Sequence, residues 1–200
     1  LDLGVDLSVQ ALTKYVVGHA DVFGGGVMSH DKRIAQDVLD CADDWGISLA
    51  PDDAYTALRG LRSLKTRLDA HEAAGLKLAH WLSQRNEVSQ VLHPALEDHP
   101  DHALWKRDFS GSNGLFSFVL NATGSNALKR FFDSLELFSM GFSWGGFESL
   151  IIPCDPQLNR SADHWIHDKA GPLLRIHVGL ESPDDLIADL DAGFTAMQGD

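Results

Sequence analysis

One apolar stripe constrains this chain more than any other feature. Ala54, Leu58, Leu61, Leu64 and Leu68 recur at helical spacing, and the pattern runs on through Leu76, Ala79 and Leu82. Apolar residues three and four positions apart share a helix face, so the stretch predicts an amphipathic helix. Pro51 followed by Asp52 and Asp53 marks its start, because proline fits the first turn and carboxylates favour the positive end of a helix. The run exceeds an average helix, which predicts a bend or break near Gly60 or Gly75. A helix of this length suits a bridge between two domains. The texture of the sequence changes across it, and we place residues 1–60 in one domain and 61–200 in the other.

Upstream, residues 5–9 predict a short strand that leads into the polar segment 10–15. Residues 18–26 are rich in glycine and read as turns with a strand or loop. Ser29 and Asp31 predict a capped helix carrying Ile34, Val38 and Leu39 on one side. Downstream, residues 88–92, 115–120, 148–153 and 173–178 predict strands, with a helix over 124–132. Ser182 is the expected N-cap of a last helix whose first residue is Pro183, with Asp184 and Asp185 in its first turn. Leu186, Ile187, Leu190, Phe194 and Met197 then share one face. Strands mixed with helices in this order give a mixed α/β class, with an α+β arrangement from about residue 61 onward.

Composition removes several functions. About 44% of the residues are hydrophobic, enough for a core, and the net charge of -13 argues against nucleic acid or an anionic membrane as partner. No stretch approaches the roughly 18 apolar residues of a membrane span. The start, Leu1-Asp2-Leu3-Gly4-Val5-Asp6, lacks the basic region of a signal peptide. It also lacks an initiating methionine, which fits a chain that begins within a longer protein. Cys41 and Cys154 match neither a disulfide framework nor a metal cluster, and are expected to be buried thiols in a reducing compartment, the cytoplasm. His99/His102 and His164/His167 are spaced i, i+3 without a third ligand at a telling distance, so no metal site is expected.

Three segments carry residues suited to chemistry. Thr13-Lys14-Tyr15 precedes Gly18-His19-Ala20-Asp21 and Gly24-Gly25-Gly26. An amine beside a hydroxyl and a flexible glycine segment suits a phosphate-bearing aldehyde, although by pattern alone such a lysine is usually a solvated surface residue. Ser143-Trp144-Gly145-Gly146-Phe147-Glu148-Ser149 suits a tight turn with N–H groups open to an anion; the alternative is a turn into a strand with Trp144 in the core. Arg175 stands within the apolar run Leu173-Leu174-Arg175-Ile176-His177-Val178. An arginine there needs water, a structural acid or an anionic ligand, and its fork binds both oxygens of a carboxylate.

These segments together resemble the Cys/Met-metabolism (transsulfuration) family of pyridoxal 5'-phosphate (PLP) enzymes, in its carbon–sulfur β-lyase branch. The likeness extends through Ala57-Leu58-Arg59-Gly60-Leu61-Arg62-Ser63-Leu64, Trp105-Lys106-Arg107-Asp108-Phe109-Ser110-Gly111-Ser112 and Leu174-Arg175-Ile176-His177-Val178-Gly179-Leu180-Glu181. It implies the end of a fold-type-I PLP domain followed by its C-terminal α+β domain. It also implies Lys14 as the Schiff-base lysine, Thr13 as a phosphate contact, and Arg175 with Ser143 and the Trp144 backbone as the carboxylate site. The implied reaction is β-elimination of cystathionine to homocysteine, pyruvate and ammonia, by a homotetramer, with Lys14 shuttling the proton. Two positions depart from the pattern: Ala11 stands where Ser or Thr is frequent, and Phe142 where tyrosine is more usual. Family members are about twice as long and carry the aspartate that faces the pyridinium nitrogen in their N-terminal half. This polypeptide alone is therefore expected to have little lyase activity. Other transsulfuration enzymes, and a truncated non-catalytic module, are the competing expectations.

Overall fold

The computed structural model describes residues 1–158 and 171–199. The chain divides into two compact units, Leu1–Lys65 and Thr66–Asp200.

In the first unit β1 (Ser8–Ala11) pairs antiparallel with β2 (Gly25–Met28), with Ser8 opposite Met28 and Ala11 opposite Gly25. Between them Leu12–Val16 forms one wide helical turn that Lys14 interrupts with non-helical angles. The first strand therefore begins three residues and ends two residues later than the expected 5–9. Helix α1 (Lys32–Asp44) follows. Its cap is Asp31, whose carboxylate accepts from the N–H groups of Arg33 and Ile34; Ser29 instead donates to Asp6 O and accepts from Asp31 N. The buried cluster of this unit is small: Val17, Val22 and Ala57, with Leu12 packed on it. Leu3, Val9, Phe23, Trp45 and Ile47 are exposed. Cys41 is exposed as well, contrary to the expected buried thiol, because α1 turns that face to solvent.

Helix α2 (Pro51–Ser83) runs without interruption from the first unit into the second, so the expected break is absent. Its glycines serve close approach instead. A Cβ at Gly60 would lie 2.3 Å from Val16 O, and one at Gly75 would lie 2.9 Å from Asn113 O. Each glycine lets another backbone reach the helix, a gain that outweighs its poor helix propensity.

The second unit is built on a four-stranded antiparallel sheet in the order β3-β4-β6-β5. The strands are β3 (Val88–Leu92), β4 (Leu115–Leu120), β5 (Leu150–Pro153) and β6 (Leu173–His177). Helix α3 (His102–Asp108) precedes β4, and α4 (Ser125–Asp133) follows it. Helix α5 (Pro183–Met197) closes the described chain. Phe116, Phe118 and Leu120 of β4, Ile151 of β5 and Leu174 and Ile176 of β6 form one core with Leu78 and Leu82 of α2, Phe131 of α4, and Leu186, Leu190 and Phe194 of α5. Ser182 makes no side-chain capping bond to α5. The buried carboxylate of Asp189, midway along α5, holds the segment after α4 by accepting from the N–H groups of Glu136, Leu137 and Phe138. Among the described residues no helix is long and apolar enough to cross a membrane.

A two-stranded sheet over three buried apolar residues is marginal, whereas a four-stranded sheet under helices is self-sufficient. Amide hydrogen exchange on this chain should show β1 and β2 exchanging at least a hundredfold faster than β4 and β6. Equal protection in the two sheets would contradict this account of the cores.

Candidate active site

Strand alternation sets the chemistry of β6. Leu174 and Ile176 enter the core, so Arg175 and His177 project from the opposite face. In register, Arg175 lies between Ser117 of β4 and Ile152 of β5, and His177 between Leu115 and Leu150. Arg175 is half-buried, and its guanidinium carbon sits 5.6 Å from the centre of the Trp144 ring, within cation–π range. None of the ion pairs among the described residues uses Arg175. Burial pushes the neighbouring Cys154 thiol up, and the charge of Arg175 offsets only part of that rise.

Trp144 is presented by a loop whose ends meet. Ser139 N donates to Ser149 O and Ile151 N to Ser139 O, so residues 139–149 leave the sheet and return to it. The far limb is pinned to the segment after β6. Leu180 N donates to Phe147 O, Gly179 N donates to Ser149 Oγ, and that hydroxyl donates to Glu181 Oε2. At the apex Gly145 adopts φ +81, a conformation that glycine reaches without a Cβ penalty. Trp144 is only half-buried, so it is not a core residue. Ser143 beside it is half-buried, and Phe142 is exposed.

His177 lies beneath this apex and is 1% exposed. Gly145 N donates to its Nε2 at 3.1 Å, and Gly146 O lies 3.2 Å from the same nitrogen. Its ring centre is 5.3 Å from that of His71 on α2, whose Nδ1 is 2.8 Å from Val178 O. Sequence reasoning did not single out His177, since a histidine in an apolar strand carries no local signal of a partner 32 positions away.

The first unit holds the other two expected residues. Lys14 is half-buried and follows Thr13 directly in the interrupted turn. The Thr13 hydroxyl accepts from Gly24 N at 2.9 Å and lies 3.2 Å from Gly24 O. The structure thus joins Thr13 and Lys14 in one unit, and Trp144 with Arg175 in the other.

The remaining histidine pairs make local contacts. His99 Nδ1 accepts from Asp101 N, and His102 Nδ1 is 3.1 Å from Pro94 O. His164 and His167 lie outside the described residues.

Burial lowers the His177 pKa from 6.5 to about 4, with smaller downward contributions from the charges of His71 and Arg175. Burial also lowers His71 and His93. Between pH 6.5 and 4 the unfolded chain therefore binds protons that the folded unit refuses. The associated stability is full above pH 6.5 and is lost as the pH falls toward 4. The His177 part amounts to about 3 kcal/mol at most. Urea unfolding of the chain across this range should show that decline, and His177→Gln should flatten it. An identical pH dependence in the variant would assign the decline elsewhere.

A family model described as Cys/Met metabolism PLP-dependent enzyme matches residues 1–195. Cystathionine beta-lyase MetC of Escherichia coli (strain K12) is 46% identical over 199 residues, covering 98% of this chain and 50% of that protein. The cystathionine beta-lyase of Salmonella typhimurium is 47% identical with the same coverage. Among solved structures, cystathionine gamma synthase from Xanthomonas oryzae pv. oryzae in complex with cystathionine matches with a TM-score of 0.88 and 37% identity, over 98% of this chain and 51% of that one. The chain spans about half the length of the curated relatives it matches.

Proposed function

This chain belongs to the Cys/Met metabolism PLP-dependent enzymes, and we propose that it is the lysine- and carboxylate-binding part of a cystathionine β-lyase. The observation that carries the reading is the half-buried Arg175 guanidinium stacked on Trp144 without an acidic partner among the described ion pairs. Such a group answers the α-carboxylate of an amino acid, and its planar fork binds both oxygens. The residues present fit the cofactor: a primary amine and a hydroxyl stand at consecutive positions, the two functions that an aldehyde and a phosphate take up.

In this reading Lys14 Nζ would hold the cofactor's aldehyde and Thr13 Oγ1 would contact its phosphate. The bound cofactor supplies an electron sink conjugated to the substrate α-carbon. Lys14 Nζ would serve as the base that takes the α-proton and as the acid that later returns a proton. Arg175 would take the substrate carboxylate, with Ser143 Oγ and the Trp144 backbone beside it. The β-sulfur leaves as the thiol of homocysteine, and the three-carbon remainder takes up water to end as pyruvate and ammonia. The domain boundary near residue 60, a homotetrameric assembly and a cytoplasmic location are parts of the same proposal.

A second reading keeps the cofactor and site but moves the bond that breaks. The solved structure reported above is of a γ-synthase, so γ-chemistry within the family is the alternative. The assay is product analysis with cystathionine, using an enzyme of the relatives' full length that carries this chain as its C-terminal half. Pyruvate is the expected oxo-acid; 2-oxobutyrate would replace β-cleavage with γ-cleavage. Lys14→Ala should abolish turnover. Arg175→Ala should raise KM about a hundredfold, as loss of a charged, desolvated contact does. An unchanged KM would remove Arg175 from the carboxylate site.

A further inference from the structure

We infer that His177 is a positioning residue, which holds the Gly145–Gly146 apex so that Trp144 stays beneath the Arg175 guanidinium. For its functional meaning this rests on the proposal that Arg175 takes the substrate carboxylate. The geometry itself does not depend on that proposal.

His177 and Arg175 are two residues apart on β6, so they share a face and their spacing is fixed by the pleat. Arg175 meets the Trp144 ring, and His177 meets the backbone of the next two residues, Gly145 and Gly146. The apex is thus held by one face of one strand at two adjacent points. Further along, Phe147 O and the Ser149 hydroxyl tie the loop to the segment after β6.

The chemistry suits imidazole. One ring nitrogen faces an N–H and a carbonyl at 3.1 and 3.2 Å. A neutral ring with its proton on Nδ1 accepts from Gly145 N, and the other tautomer donates to Gly146 O. Either neutral form ties the apex to β6. A buried leucine would offer neither function and would leave a buried N–H unsatisfied. Glutamine reaches a similar distance with an acceptor and a donor on one amide, so it can replace both contacts.

An indole over a guanidinium shifts the Arg175 Nε–H resonance by its ring current, which makes the placement directly measurable by NMR on this chain. His177→Leu is expected to move that resonance back toward the position of a free arginine. It should also raise the exchange rate of the Gly145 amide at least tenfold. The aromatic resonances of Phe131 and Phe194, on the opposite face of the sheet, should stay in place. His177→Gln is expected to restore both readouts, which a role in folding alone would not require. If His177→Leu does not fold, His177→Asn takes its place, because its amide stops short of the apex. Unchanged Arg175 and Gly145 signals in the folded variant overturn the inference, and so does a glutamine variant that behaves like leucine. The carboxylate proposal fails separately: it falls if Arg175→Ala leaves the affinity of the enzyme for L-cystathionine unaltered, a result that leaves the NMR outcome untouched.

Discussion

The arrangement depends on the two-residue alternation of β6. Leu174 and Ile176 are fully buried against α2, α4 and α5, and this fixes which way the strand faces. A slip of one residue would drive a guanidinium into the aliphatic core, at a cost of several kcal/mol. The same register that completes the core therefore forces Arg175 and His177 onto the opposite face. Core packing and site construction are one constraint seen from two sides of a sheet.

On that face backbone groups of the loop meet side chains that fix them. The loop 139–149 carries Ser143 and Trp144 and is tied down through N–H groups and carbonyls at Gly145, Gly146 and Phe147, and through the Ser149 hydroxyl, which accepts from Gly179 N. Backbone ties tolerate sequence drift in the loop while holding its path. They also explain the glycines: Gly145 adopts a positive φ, and a Cβ at Gly179 would lie 2.2 Å from Phe147 O. Glu181 contributes by gripping both the N–H and the hydroxyl of Ser149.

Much of the second unit was legible in the sequence because its elements are locally consistent. The strands at 88–92 and 115–120 match observed elements residue for residue; in the second, a mostly apolar run bounded by turn residues leaves little choice. The last helix was legible from Pro183 and the acidic first turn, although Ser182 makes no cap. What failed was anything set by contacts between distant segments. Gly60 and Gly75 read as helix breakers, yet they are the points where other backbones approach α2. Helix α3 went unseen because seven residues without a side-chain cap give no periodic signal. Lys14, Thr13, Ser143, Trp144 and Arg175 came from a family likeness. Pattern alone left Arg175 open and made Lys14 a surface residue. His177 has no signature at all, since its role exists only once Gly145 is folded onto it.

The claim at the centre of this account is that Arg175, on its indole support, receives the carboxylate of an amino-acid substrate. The most direct measurement is a crystal structure of a full-length enzyme carrying this chain, with a substrate amino acid bound. The account predicts both carboxylate oxygens within roughly 3 Å of the Arg175 guanidinium nitrogens, with the Trp144 ring still packed on it. A carboxylate bound elsewhere, with Arg175 paired to an acidic side chain of the protein, would contradict it.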